Sequence, residues 1–171
     1  MNNPKKKFSK IYDRYIDKIY RFVFLKVSST EIAEDLTSET FLRGWKAFET
    51  DQKSIENPQA FLYRIARNLV VDFYRNKSKV QMVSAEYTQI EDPRPNPEEK
   101  AKSRADMEII QQALANLKED YQNVIIWHYL DDLPIPEVAK LLDKSEKTTR
   151  VTLHRALKAL KKGLNKDIQL I

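Results

Sequence analysis

The feature that most constrains the fold lies near the C-terminus, where residues 133–160 place apolar and charged side chains with the period of an α-helix. Two early prolines limit where a first short helix can begin, because proline is tolerated only in the first turn. Ser145 and Glu146 then supply a side-chain cap and an acid at the positive end of a longer helix. The pattern predicts helices at Pro134–Leu142 and Glu146–Asn165, with a tight turn between them.

The second of these helices has two contrasting faces. The apolar face consists of Thr149, Leu153, Ala156, Leu157, Leu160 and Leu164. The opposite, mostly cationic face consists of Lys147, Arg150, Val151, His154, Arg155 and Lys158. Between Lys144 and Lys166 there are eight lysine or arginine side chains and one acid. This asymmetry is typical of a helix-turn-helix that places its second helix in the DNA major groove. The alternative is a helical hairpin with a solvated, lysine-rich surface.

Composition favours helices along the whole chain. Two glycines in 171 residues argue against a turn-rich β fold, and the abundant Leu, Lys, Glu and Ala suit helices. The absence of cysteine excludes disulfides and thiolate metal sites and fits a reducing cytoplasm. No apolar run approaches the roughly 18 residues of a membrane span, so direct membrane insertion is not expected. The net charge of +5 lies entirely within residues 1–77.

A stretch without helical periodicity divides the chain. It contains Pro93, Pro95 and Pro97, which remove backbone donors and disfavour helix at the preceding residues. A structureless segment of about two dozen residues is unusual inside one compact domain. We therefore predict an all-α protein of two small helical domains, residues 1–77 and 105–171, joined by a flexible linker at 78–104. A disordered surface loop is the alternative.

Periodicity places the remaining helices on either side of that linker. The first domain is predicted to contain helices at Lys7–Val27, Ser29–Phe48 and Pro58–Lys77, and whether the first is broken in two is left open. The second domain is predicted to begin with helices at Ala105–Leu117 and Glu119–Leu130.

The helix after Pro58 has a basic stripe. The residues on it are Arg64, Arg67, Asn68 and Arg75, with Tyr63 and Tyr74 at its edges. Arginines neutralise phosphates, an asparagine can bond a base edge, and aromatic rings can stack on unpaired bases. The stripe indicates a nucleic-acid contact, with an ordinary solvated face as the alternative.

The preceding helix differs, because it carries Asp35 and Glu39 as like charges one turn apart. Acids on an otherwise basic domain suit a basic protein partner, although they could equally serve solubility. Catalysis is not indicated: His128 and His154 are the only histidines, and the spacings of metal, phosphate-loop and nucleophile motifs are missing. We expect no enzyme activity, no metal and no cofactor, and a packed structural role for His128.

Three runs together carry a family resemblance. They are residues 33–45 (AEDLTSETFLRGW), residues 61–72 (FLYRIARNLVVD) and residues 153–156 (LHRA). In this order they resemble a bacterial sigma factor, and the short two-domain form is similar to the extracytoplasmic-function group. The resemblance covers about residues 8–164, with the linker unmatched in sequence. Asp143 stands where a turn glycine is common, and aspartate tolerates the left-handed conformation better than most residues.

The resemblance implies a role for each helix. It implies that core RNA polymerase is bound through Asp35, Leu36, Ser38, Glu39, Phe41 and Leu42. It implies that the helix after Pro58 recognises and melts the minus-ten element of promoter DNA, with Ile65 and Asn68 near a flipped-out base. The last helix is then expected on the minus-thirty-five element. An anti-sigma factor is a further partner that the family implies.

Three functional hypotheses follow. The first is a sigma factor that binds core RNA polymerase and directs promoter-specific initiation. The second is a free-standing helix-turn-helix regulator of duplex operator DNA, and the third is an inactive relative that only sequesters polymerase or an inhibitor. The acidic helix followed by the basic, aromatic-flanked helix favours the first, because a simple repressor needs neither.

Overall fold

The fold is known from a computed structural model, which describes residues 3–80, 105 and 108–168. Within those residues the chain forms helices and turns and no strand, so the prediction of an all-α fold is confirmed. The chain divides into two compact units, Met1–Gln89 and Ile90–Ile171. Most of the predicted linker, residues 81–104, lies outside the described residues. Among the helices that are described, none is both long and apolar enough to cross a membrane.

The first unit contains three long helices. They are α1 (Pro4–Val27), α2 (Thr30–Thr50) and α3 (Pro58–Val80), with a short 3-10 turn at Gln52–Ser54 before α3. Helix α1 is continuous, which settles the question that its sequence left open. Helix α3 reaches Val80, three residues beyond its predicted end at Lys77.

Polar side chains begin and end these helices. The Asn3 side chain accepts a hydrogen bond from the Lys5 amide at 3.0 Å and begins α1. Ser28 adopts the left-handed conformation with φ 57° and ends α1 by donating its amide to the Phe24 carbonyl at 2.9 Å. Ser29 then begins α2, its hydroxyl accepting from the Ile32 amide at 3.4 Å. The chain therefore turns from one helix into the next within two residues.

The core of the first unit lies between the three helices. Its fully covered side chains include Ile19, Phe22, Val23, Leu62, Tyr63 and Ala66. A second aromatic group packs around Phe8, whose ring centroid lies 5.3 Å from that of Trp45 and 5.5 Å from that of Phe48. Together these contacts cover one face of each helix and leave the other face exposed.

The second unit is built from shorter helices. Residues 108–115 are helical (α4), and α5 (Glu119–Val124) continues directly into a π-helical turn at Ile125–Leu130. Helices α6 (Ile135–Leu142) and α7 (Glu146–Ile168) follow. The predicted helix at Glu119–Leu130 is thus correct in extent, but its second half is π-helical rather than α-helical.

The π-helical turn packs against its own exit loop. The Asp131 amide donates to the Ile126 carbonyl at 3.0 Å, and the Leu133 amide donates to the Trp127 carbonyl at 2.8 Å. The half-buried His128 places Nδ1 2.9 Å from the Leu133 carbonyl oxygen. This contact confirms the predicted structural role of His128.

The turn between α6 and α7, residues 143–145, contains no glycine. Asp143 ends α6 in the left-handed conformation, with φ 55°, which aspartate tolerates. The Ser145 hydroxyl then accepts a hydrogen bond from the Thr148 amide at 3.1 Å and begins α7. A salt bridge from Lys144 to Asp120 ties this turn to α5. The start of α7 is therefore fixed by local hydrogen bonds and by one contact to a neighbouring helix.

The two glycines give a matched stability prediction. A Cβ at Gly44 would lie 2.9 Å from Cδ2 of Leu62, which is only 1% exposed and has little room to move, whereas nothing lies within 4 Å of a Cβ at Gly163. Overpacking costs about 1–3 kcal/mol, and an Ala gains about 1 kcal/mol of helix propensity over Gly. We expect Gly44→Ala to destabilise the protein by about 1 kcal/mol and Gly163→Ala to stabilise it by a similar amount. Urea unfolding of both variants checks this, and a stabilised Gly44→Ala would contradict the close packing of α2 on α3.

Candidate nucleic-acid and protein interfaces

The outer face of α7 is fully accessible in the second unit. All six residues predicted from the projection are exposed, namely Lys147, Arg150, Val151, His154, Arg155 and Lys158. The inner face is closely packed, with Thr149 and Ala156 at 0% and Thr152 at 8% exposure. The predicted division of this helix into two faces is confirmed. That these six residues contact DNA stays a prediction.

One cation on this face, Arg150, has an acidic neighbour on the same helix. The Arg150 guanidinium lies 3.4 Å from the Glu146 carboxylate, one turn earlier. Both side chains are at least half exposed, so this pair contributes little to stability. The contact places the guanidinium near the start of α7, where recognition helices contact base edges.

The basic stripe of α3 is also on an exposed face. Arg64, Asn68 and Arg75 are exposed, while Ile65 and Arg67 are half-buried. Nη1 of Arg75 lies 3.6 Å from the Asp72 carboxylate. The structure therefore brings the predicted stripe together on one side of the helix, although its contact with DNA is untested.

Tyr63 is an exception, and its assignment to this surface is wrong. Its side chain is 0% exposed, and its ring packs edge-on against Phe22 with centroids 5.5 Å apart. At the boundary of a projected stripe the neighbouring helices decide whether a large ring points inward, and here the ring packs against Phe22 of α1. Tyr63 therefore belongs to the core and cannot stack on an unpaired base.

Tyr74 has a role that the sequence did not indicate. Its hydroxyl donates a hydrogen bond to the main-chain carbonyl of Lys26, in the last turn of α1, 48 residues away. Carbonyls in a last turn have no partner within their own helix, so the tyrosine supplies one. Partial burial raises the pKa of the Tyr74 hydroxyl. The contact fixes the far end of α3 against α1.

A shallow depression lies at the other end of α3. It has a volume of about 520 Å³ and is lined by Arg43, Lys46, Ala47, Thr50, Asp51, Ser54, Ile55 and Phe61. The end of α2, the 3-10 turn and the start of α3 meet here. Nε of Arg43 also lies 2.7 Å from the carboxylate of Glu39, one turn earlier on α2. The same arginine also forms part of a cationic wall.

The predicted polymerase-docking residues lie on α2. Asp35, Ser38 and Leu42 are exposed, and Leu36 and Glu39 are half-buried. Leu42 is 48% exposed, which is high for a leucine. These five side chains form the acidic and apolar outer face of the helix, and their contact with polymerase stays a prediction.

Phe41 does not belong to that outer face, so its assignment as a docking residue is wrong. It is 5% exposed, and its ring packs edge-on against Tyr12 with centroids 4.9 Å apart and against Phe8 at 6.5 Å. On a helix, consecutive residues point about 100° apart, so Phe41 faces the core while Leu42 faces outward. Within the part of the chain that the structure describes, no group of His, Asp and Glu side chains could hold a metal ion.

Comparison with known proteins agrees with both units. Residues 11–80 match the family Sigma-70 region 2, and residues 107–160 match Sigma-70, region 4. The chain is 31% identical over 169 residues to SigW of Bacillus subtilis strain 168, an RNA polymerase sigma factor of the extracytoplasmic-function group, covering 92% of this chain and 88% of SigW. It is 29% identical over 161 residues to BldN of Streptomyces coelicolor, covering 94% of this chain and 61% of BldN.

Solved structures show the same fold. The sigma factor RpoE from Bartonella quintana superposes with a TM-score of 0.74 at 20% identity, covering 94% of this chain and 98% of RpoE. CnrH superposes with a TM-score of 0.70 at 19% identity, covering 95% of this chain and 90% of CnrH.

A promoter-recognition subunit requires the parts found here, namely two helical units, an acidic face on α2 and cationic faces on α3 and α7. The chain belongs to the extracytoplasmic-function sigma factors, as the match to both sigma-70 regions and the identity to SigW show. It binds core RNA polymerase and promoter DNA and directs transcription initiation. The alternative of a free-standing helix-turn-helix regulator is not favoured, because residues 11–80 match region 2.

The Tyr74 anchor gives a prediction with a pH dependence. In Tyr74→Phe the Lys26 carbonyl loses its donor, so we expect a loss of about 0.5–1.5 kcal/mol in the free energy of unfolding at pH 8. Because the pKa is raised in the folded state, the contribution of the hydroxyl is complete below about pH 10 and is lost as the pH rises past the folded pKa.

The measurement is urea unfolding of the parent and Tyr74→Phe at pH 8 and pH 11. We expect the difference in unfolding free energy between the parent and Tyr74→Phe to be smaller at pH 11 than at pH 8. Tyr12→Phe is the matched control, because Tyr12 is equally exposed at 44%. An unchanged difference at pH 11 would contradict the anchoring role of the hydroxyl.

Proposed function

We propose that this sigma factor divides its work among three surfaces. The outer face of α2 docks on core RNA polymerase, α3 with the depression before it recognises and melts the minus-ten element, and the outer face of α7 binds the minus-thirty-five element. We assign the first two to a domain at residues 1–80 and the third to a domain at residues 105–171. The observation that carries the proposal is the sorting of exposed charge, acidic on α2 and cationic on α3 and α7.

The docking surface is supported by its chemistry. Asp35 and Ser38 are exposed beside Leu42, whose side chain is about half accessible. An exposed leucine among acids suits a protein partner better than DNA, because DNA phosphates repel carboxylates and offer no apolar surface. The core of the unit does not use these side chains, so they are available to a partner.

The melting surface is supported by the combination of cations with a concave site. Arg64 and Asn68 are exposed on α3, and the depression next to Phe61 has a wall formed by Arg43 and Lys46. Phosphates of a single strand suit the cations, and an unstacked base needs a recess with polar groups nearby. Duplex binding alone would not need the recess.

Regulation by an anti-sigma factor is proposed from the relatives. RpoE from Bartonella quintana was solved with the anti-sigma factor NepR, and CnrH with the cytosolic domain of CnrY. We propose that a comparable inhibitor covers the polymerase-binding or DNA-binding faces of this chain. We propose that this sigma factor acts in the cytoplasm, where its polymerase partner acts. The chemistry of RNA synthesis we assign to the polymerase rather than to this chain.

The test of the proposed function is transcription from genomic DNA fragments with purified chain and core RNA polymerase. Specific start sites that need both components are the expected result. Specific duplex binding by the chain alone would support a free-standing regulator instead. Polymerase binding without any specific start would indicate a chain that only sequesters polymerase.

A charge reversal tests the docking face. In Asp35→Lys we expect the affinity for core polymerase to fall about tenfold, because a cation replaces an acid that faces a basic partner surface. Glu49→Lys is the control, since it makes the same charge change on the same helix at an exposed position about 21 Å along the axis. Equal effects of both variants in a binding titration would contradict a localised docking site.

Two classes of variant test α7. Arg150→Ala or Arg155→Ala should weaken promoter binding by about 1–3 kcal/mol where the arginine makes a bidentate base contact, with a loss of preference at that base. Lys158→Ala or Lys161→Ala should instead lower the slope of log affinity against log salt by about 0.9 and leave sequence preference intact. Binding of holoenzyme to promoter DNA at several salt concentrations separates the two classes. If Arg150→Ala left the affinity unchanged at every promoter, the proposed orientation of α7 would be contradicted.

A further inference from the structure

We infer that Val151 recognises the C5 methyl group of a thymine in the upstream promoter element. This inference rests on the proposed function, because it requires α7 to lie in the major groove. Val151 is 43% exposed near the centre of the outer face of α7. Its neighbours at helical spacing are Lys147, Thr148, His154 and Arg155, all exposed and all polar. It is therefore an apolar side chain surrounded by groups that we propose contact DNA.

The valine does not serve the core of the second unit. The inner face of α7 is occupied by Thr149, Thr152 and Ala156, which are at most 8% exposed. Val151 is also the only large apolar residue on the described part of α7 that is exposed. Valine is a weaker helix former than alanine, lysine or arginine, so burial and helix propensity both fail to explain it.

The surroundings of Val151 hold it in a defined place. Thr149 donates its hydroxyl to the Ser145 carbonyl and Thr152 donates to the Thr148 carbonyl, each at 2.9 Å. These bonds lie within the helix, and both threonines are buried, so a rotation of the helix would expose them to water. A β-branched side chain in a helix has essentially one χ1 rotamer, and its two methyl groups are therefore presented with little loss of entropy on binding.

The chemistry of the groove selects the ligand. Thymine alone carries a methyl group on the major-groove edge, and apolar side chains contact it there. Valine has neither donor nor acceptor, so a cytosine amino group placed against it would lose its hydrogen bond to water. The surrounding cations bind phosphates or guanine and cannot detect a methyl group. Val151 thus adds a preference for thymine that the other five residues cannot supply.

The experiment removes one DNA methyl group at a time. The probe is a promoter fragment with a mapped start site, in which each thymine of the upstream element is replaced singly by deoxyuridine, which pairs identically but lacks the C5 methyl. Competition against the unmodified fragment measures the affinity of holoenzyme formed with the full chain. We expect one replacement to weaken binding about fourfold, the amount that corresponds to one buried methyl group.

Protein variants assign that methyl group to its partner. With Val151→Ala, the sensitive position should become insensitive to deoxyuridine, to within about 1.5-fold. Alanine is the better helix former, so the variant is expected to fold, and circular dichroism checks this. Thr148→Ser is the matched control. It removes a methyl group from an exposed neighbour and keeps the hydroxyl that accepts from Ser145, so it should leave the sensitive position unchanged.

Three outcomes would overturn the inference. They are the absence of any sensitive thymine with the parent protein, the same sensitivity with Val151→Ala, and loss of the sensitivity with Thr148→Ser. Failure of the proposed function looks different, because the holoenzyme then forms no specific complex with any fragment, modified or not. A specific complex in which deoxyuridine has no effect overturns only the role of Val151.

Discussion

Close packing at small residues fixes the positions of α3 and α7. In the first unit Gly44 lets α2 approach α3 so closely that a single added carbon would meet Leu62. In the second, Thr149 and Ala156 are the fully covered residues of α7. A protein interior resists changes of even one methylene, so helices packed this closely cannot slide or rotate freely. These inner contacts therefore set the orientation of the outer faces of α3 and α7.

Turns in this chain depend on polar side chains rather than on glycine. Ser28, Asp132 and Asp143 have positive φ, and both glycines lie inside helices. Aspartate and serine can bond to nearby main-chain groups, which offsets part of the cost of the left-handed conformation. A glycine would lower that cost but would also leave the unfolded chain freer. The turn before α7 is additionally tied by the Lys144–Asp120 salt bridge, so the start of the helix is fixed by more than its own cap.

The sequence predicted the helices well because each has one apolar stripe of regular period. It failed where the deciding factor was a neighbour in space. Tyr63 lies at the edge of a stripe, and its ring points inward because it packs against Phe22 of a neighbouring helix. The bond from Tyr74 to Lys26 joins residues 48 positions apart, and no local pattern signals it. Phe41 was assigned from family resemblance to a surface that its neighbour Leu42 occupies instead.

The π-helical turn was beyond prediction for the same reason. Its hydrogen bonds differ from those of an α-helix by one residue, a shift that apolar periodicity does not record. The side chains of Ile125, Ile126 and Trp127 are all buried, so tertiary packing rather than local preference decides their angular positions. π-Helical turns are rare, and the apolar pattern of residues 119–130 does not distinguish the α-helical first half of this segment from its π-helical second half.

Ion pairs within the helices bear on how the proposed DNA surfaces discriminate. Arg75 lies near Asp72, and Arg150 lies near Glu146, in each case on the same helix. An exposed pair of this kind contributes roughly 0–1 kcal/mol. Giving it up is a small cost against a bidentate base contact of about 1–3 kcal/mol. Against a phosphate contact in high salt, where electrostatic binding is weak, the same cost is comparable to the gain. Breaking the pair therefore subtracts at most the same small amount from either contact, which leaves most of the gain of a bidentate base contact and little of the gain of a phosphate contact in high salt.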